Sequence, residues 1–96
     1  MATIHRANQA TREEREYCID WTDRLPTGVT VSSIAATHTP PSGSAVTPTN
    51  DYSDAPITYT YMPSGLALGV HYLDIVATTS NANISPEVRF VITVDY

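Results

Sequence analysis

Leu66-Ala67-Leu68-Gly69-Val70-His71-Tyr72 runs straight into Leu73-Asp74-Ile75-Val76-Ala77-Thr78-Thr79, and the reading of this stretch decides the fold. A glycine followed three residues later by a tyrosine, at the head of a β-rich run, marks a corner between two stacked sheets. The glycine relieves the backbone at the bend, and the tyrosine packs inward with its hydroxyl bonded back to the chain. On this reading Tyr72 faces the core. The strand that follows is less regular: Leu73, Ile75 and Ala77 alternate with Tyr72, Asp74 and Val76, so an inward Tyr72 takes Asp74 inward with it. A bulge or a shifted register is expected to resolve that conflict.

Working outward, Val88, Phe90, Ile92 and Val94 form the most regular apolar face in the chain, with Arg89, Thr93 and Asp95 opposite, so the last strand lies over the core. Ile57-Thr58-Tyr59-Thr60-Tyr61 alternates as strictly, and the expectation is that Ile57, Tyr59 and Tyr61 share the inner face. Tyr17, Ile19 and Trp21 alternate with Cys18 and Asp20 as a first strand. Leu25-Pro26-Thr27-Gly28 is a turn signal, proline presetting one dihedral and glycine accepting a positive φ. A second strand is expected from Val29 to about Thr37. Pro40, Pro41, Pro48 and Pro56, set among Ser, Thr, Asn and Asp, rule out a continuous central strand between 39 and 56. One short edge strand is expected there, near Ala45 to Thr49.

Residues 1–12 show little hydrophobic pattern and are read as an extended or partly disordered arm, followed by a short helical turn capped by Thr11 with Glu14 three residues on. The sum is an all-β domain over 13–96: an Ig-like antiparallel β-sandwich of six to seven short strands, preceded by an extended N-terminal arm.

Ninety-six residues suffice for one two-layer core. The single Cys18 excludes an intrachain disulfide and leaves stability to apolar burial. A formal charge of -5 with no lysine argues against nucleic acid as a partner, because phosphate binding draws on clustered cations. No apolar run approaches the roughly 20 residues that span a bilayer, so no membrane partner is expected and the chain reads as soluble and made in the cytoplasm. The charge is uneven. Residues 1–15 hold Arg6, Arg12 and Arg15 against Glu13 and Glu14, a net +1, and the remainder is acidic.

Side chains with possible chemistry are scattered. His5, His38 and His71 fall on different elements at no metal-ligand spacing. Cys18 has no neighbouring acid-base pair and reads as a small buried hydrophobe. Asn50-Asp51-Tyr52-Ser53-Asp54 is rich in carboxylates, yet it lacks the ligand ladder, central glycine and terminal glutamate of an EF-hand, and reads as a solvated turn. The tyrosines and Trp21 could form a sugar platform, but their alternation assigns Tyr59, Tyr61 and Trp21 to the core, leaving Tyr52 and Tyr96 as surface candidates. With no poised acid, base or nucleophile pair, the chain is read as a non-enzyme without cofactor.

These stretches resemble the short Ig-like virion proteins of tailed bacteriophages, the phage fiber and head decoration type. The resemblance is carried by the charged lead-in, the Tyr-x-Ile-Asp-Trp strand at Tyr17 to Trp21 and the Leu-Pro-x-Gly turn at Leu25 to Gly28. It continues through the alternating strand Ile57 to Tyr61, Gly65, the corner Gly69 to Tyr72 and the closing Phe-x-Ile-x-Val at Phe90 to Val94. What it implies is a capsid decoration protein on the outer surface of the head, with the major capsid protein and further copies of itself, as a trimer or dimer, for partners. Contact would run through the arm and one sandwich edge, with Arg6, Arg12, Arg15, Tyr52 and Tyr96 as candidate binding residues. A tail or fiber subunit and an adhesion or carbohydrate-binding module are the other readings.

Overall fold

The computed structural model describes residues 3–54 and 57–96, without the side chains of residues 3, 23 and 49–54. The described strands are β1 (Thr3–Gln9), β2 (Arg15–Asp20), β3 (Val31–Thr39), β4 (Thr49–Asp54), β5 (Ile57–Met62), β6 (Gly69–Thr79) and β7 (Glu87–Val94). They form two sheets, β1-β7-β6-β3 and β2-β5-β4, and a 3-10 turn at Thr22–Arg24 follows β2. This is an all-β sandwich, with each sheet contributing one apolar face to a shared core.

Alternation seats β2 as its residues dictate: Tyr17, Ile19 and Trp21 are buried while Cys18 and Asp20 are exposed. The same holds for β7, where Val88, Ile92 and Val94 are buried and Phe90 packs against the core. Cys18, expected to be buried, is exposed because it sits on the outer parity of this strand.

In β5 the expected parity is reversed. Directly opposed residues on paired strands share a face, and Tyr17 pairs with Thr60 and Ile19 with Thr58. The inward side chains of β2 therefore draw the two threonines inward, where they are buried at 0% and 1% exposure. Tyr59 and Tyr61 turn outward. Thr58 is not wasted in the core, since its Oγ1 accepts the Trp21 Nε1–H at 2.9 Å.

The corner differs in a related way. His71, Leu73, Ile75, Ala77 and Thr79 are the buried set of β6, and Tyr72 is on the outer face with Asp74. No bulge is needed between β6 and β7, whose register is continuous from Gly69↔Val94 to Val76↔Glu87. Outward Asp74 is then free to bind Arg89, with Nε to Oδ1 at 2.6 Å, and the Arg89 guanidinium lies 4.8 Å from the Tyr72 ring centroid. Asp74 raises the Arg89 pKa accordingly.

The expected N-terminal arm is extended over residues 3–9, but it is a strand of the sandwich. β1 pairs parallel with β7 along its full length, from Thr3↔Val88 to Gln9↔Val94. Its inward positions are occupied by Ala7, packed on the core, and Gln9, only 1% exposed. A small and a polar residue give no hydrophobic signal in the sequence. Gln9 is tolerated because its amide is satisfied: Oε1 accepts from the Tyr17 hydroxyl at 2.9 Å, and Nε2 donates to the Glu13 carbonyl at 2.9 Å. Burial pushes the Tyr17 phenol up. The helical turn expected after Thr11 is absent because Thr11 spends its backbone elsewhere, its N–H on the Tyr96 carbonyl and its C=O on the Gly65 N–H, both at 2.6 Å. The edge strand expected near Ala45 to Thr49 reduces to one bridge, Val46 with His38, before β4 begins at Thr49.

Gly69 opens β6 at φ +127, and a Cβ placed there would lie 2.8 Å from Pro41 Cγ. Both the dihedral and the contact exclude a side chain. Gly69→Ala is expected to lower stability by about 2 to 4 kcal/mol, read as a reduced urea midpoint at unchanged m-value. Gly65→Ala is the control: its φ is +81 but the space around it is open, so it pays only the backbone cost of about 1 kcal/mol. Equal midpoints for the two variants would mean that Pro41 yields and only the dihedral matters.

Candidate functional site

The open end of the sandwich, where β3 and the corner before β6 approach each other, brings two histidines together. His38 on β3 and His71 on β6 are 6% and 1% exposed, and His38 Nε2 lies 2.8 Å from His71 Nδ1. The other nitrogen of His71, Nε2, is 2.7 Å from the Ala67 carbonyl oxygen. A carbonyl can only accept, so Nε2 of His71 carries hydrogen. In the neutral ring Nδ1 is then an acceptor, and the His38 Nε2–H donates to it. His71 thus does what a corner tyrosine does, tying the strand back to the chain four residues upstream.

The direction of these bonds leaves Nδ1 of neutral His38 as a bare lone pair. It bonds to no described residue, and among the described residues no buried polar side-chain atom lacks a partner, so this nitrogen meets solvent. His38 lines a pocket of about 220 Å³ together with Val46, Thr47, Pro48, Tyr61 and Pro63. Burial, then the neighbouring His71, holds His38 below the ordinary histidine value. The Tyr61 hydroxyl donates to Glu14 Oε2 at 2.7 Å, and that bond raises the phenol's pKa. A second concavity of about 290 Å³ is formed by the turn from Thr22 to Val31, against Leu25, Pro26 and Val29, and among the described side chains no ionisable one lines it.

No family model matches this chain, and no curated protein matches its sequence. Function therefore has to be argued from the surface and the site.

Among the described residues no three His, Cys, Asp or Glu side chains form a group that could hold a metal ion, and no helix is long and apolar enough to cross a membrane. The candidate binding residues do not converge on one point. Arg6 is exposed on the outer face of β1, and Arg12 is exposed in the turn before β2. Neither has an ion-pair partner among the described residues. Arg15 is engaged within the chain, donating to the Asn8 carbonyl at 2.8 Å and facing Glu13 Oε2 at 3.6 Å. Tyr96 is 75% exposed, and its carbonyl is held by Thr11. Tyr52 lies on β4, and its side chain, like the carboxylates of the 50–54 segment, is outside the described residues.

The side chains that sequence reasoning missed are Tyr59, Tyr61 and Tyr72, all turned outward, and the His38–His71 pair. The histidines were legible in principle. His71 has the same parity as Leu73, Ile75 and Ala77, and His38 the same parity as Ala36.

Proposed function

We propose that this chain is a structural protein of a bacteriophage virion, a decoration protein that binds the outer surface of the head and catalyses nothing. The reading rests on one conjunction: a Tyr-x-Ile-Asp-Trp strand at β2 and a Leu-Pro-x-Gly turn on the way to β3, in an all-β sandwich of two sheets. The acidic body suits an exposed, soluble knob, and the exposed Arg6 and Arg12 give it a basic margin that can pair with capsid carboxylates. Because residues 3–9 are held by β7, contact is made by side chains and edges of the folded sandwich rather than by a loose arm. Further copies of the chain and the major capsid protein are the proposed partners.

Its stoichiometry in purified virions, measured by quantitative mass spectrometry against the major capsid subunit, tests this. A ratio near parity, or a simple fraction of it, is the expected result. A ratio many times smaller moves the chain to the tail or a fiber, and its absence from virions ends the proposal. A carbohydrate-binding reading is favoured by a separate observation, the outward Tyr59 and Tyr61 on β5. A glycan screen in which Tyr61→Ala binds as wild type removes that site.

A further inference from the structure

We infer that the His38–His71 pair is a proton-operated latch: it keeps the open end of the sandwich shut while it carries no more than one extra proton, and opens when it takes a second. The inference is independent of the virion reading.

The latch follows from where hydrogens can sit. In the neutral pair, one hydrogen is on His71 Nε2, facing the Ala67 carbonyl, and one on His38 Nε2, facing His71 Nδ1. An added proton has a vacant place at His38 Nδ1, the nitrogen that meets solvent beside the pocket. With that proton in place the bond between the rings survives and becomes charge-assisted. A second proton has only the space between His38 Nε2 and His71 Nδ1, 2.8 Å apart and already filled by one hydrogen. Two N–H groups and two positive charges would then face each other among buried side chains, an arrangement that persists only if the rings separate.

Separation would be felt by particular neighbours. His38 is joined to Val46 by a reciprocal pair of backbone bonds at 2.8 and 2.9 Å, which pins the segment after Gly43 to the end of β3. His71 anchors Ala67 and with it the corner. Little on the surrounding elements would neutralise the added charge. The Val46–Pro48 segment and the Pro63–Ala67 corner carry no ionisable side chain, and His71 is paired on β7 with Ile92. Asp74 and Tyr72 face the other side of β6. From β5, Tyr61 shares the pocket, with Glu14 on its hydroxyl and Glu16 opposite it on β2.

The first step carries a cost of its own without opening the pair: burial and the neighbouring His71 make the proton affinity of His38 lower folded than unfolded. The unfolded chain binds more protons in that range, so stability begins to fall as pH drops below about 6.5, and the rings part only when the second proton is added.

The test is an NMR titration of the full chain from about pH 7.5 to about pH 4.5, following the ring signals of His38 and His71. Amide exchange at His38 and Val46 is followed in parallel, as protection relative to Ala77, whose N–H bonds to the Pro86 carbonyl at the far end of β6. Expected are two separate steps for the pair, with protection at His38 and Val46 retained through the first and falling about tenfold or more relative to Ala77 with the second. His71→Gln can keep the neutral pattern, its amide N–H for Ala67 and its oxygen for His38, without a site for the second proton. In that variant the acid-induced loss at Val46 should disappear. Wild-type protection that stays level with Ala77 while both rings titrate would overturn the latch. So would a folded His71→Gln protein that still opens in acid. If the variant fails to fold, the wild-type comparison decides alone.

Discussion

Trp21→Ala is expected to remove about 3 to 5 kcal/mol of stability, a large share of the 5 to 15 kcal/mol that holds a domain of this size folded. The ring is fully buried just after β2, in the core cluster that Ile19 of that strand also joins. Its loss opens a void that the facing sheet cannot close without disturbing the register of β6 on β7. Truncation also strips Thr58 Oγ1 of the donor that makes its burial tolerable. Trp21→Phe separates the two effects. It fills most of the space but supplies no N–H, and is expected to cost about 1 to 3 kcal/mol, the price of an unsatisfied buried oxygen. Trp21 is the only tryptophan, so the substitution removes the fluorescence signal and urea unfolding has to be followed by circular dichroism. A midpoint unchanged in Trp21→Ala would mean that the ring is dispensable to the core.

The residues that were legible in the sequence are those whose alternation contrasts apolar with charged or small polar groups. Val88 to Val94 and Tyr17 to Trp21 fell on the correct faces for that reason. The parity of β5 was not legible, because threonine and tyrosine are both good strand residues and both amphipathic. Only pairing with β2 decides between them, and pairing is a tertiary fact. At the corner two cues conflicted. The tyrosine at position 72 matched a known corner pattern, while the alternation of Leu73, Ile75 and Ala77 put residue 71 inward, and burial favoured the alternation. A histidine there went unnoticed as the corner residue because its partner, His38, lies 33 positions away in sequence and the bond between them cannot be read from spacing. β1 left no trace at all, since a strand that buries Ala7 and Gln9 has nothing for a hydrophobic pattern to register.

That missing strand makes removal of residues 1–9 the most informative truncation. Its backbone terms nearly cancel: each bond to β7 is worth about 1 kcal/mol net, and each residue set free regains about 1 to 2 kcal/mol of conformational entropy. The side chains break the tie. Without Gln9 the Tyr17 hydroxyl loses its acceptor in a buried position, at about 1 to 3 kcal/mol, and Phe90 loses the His5 ring stacked 5.4 Å from its own. A loss of about 3 kcal/mol is therefore expected. β7 would also become an open edge with Val88 and Ile92 just behind it, so the truncated chain should run in size-exclusion chromatography as a larger species than the full chain. Loss of capsid binding on truncation would then be mixed with the loss of stability, and the proposed contact by this segment is better tested by Arg6→Glu, which changes an exposed side chain and leaves β1 paired. The contrary result carries equal weight. A truncated chain that keeps both the full-length midpoint and the full-length elution would mean that β1 adds nothing to its own domain, and that residues 3–9 can leave β7 to pair with a neighbouring subunit.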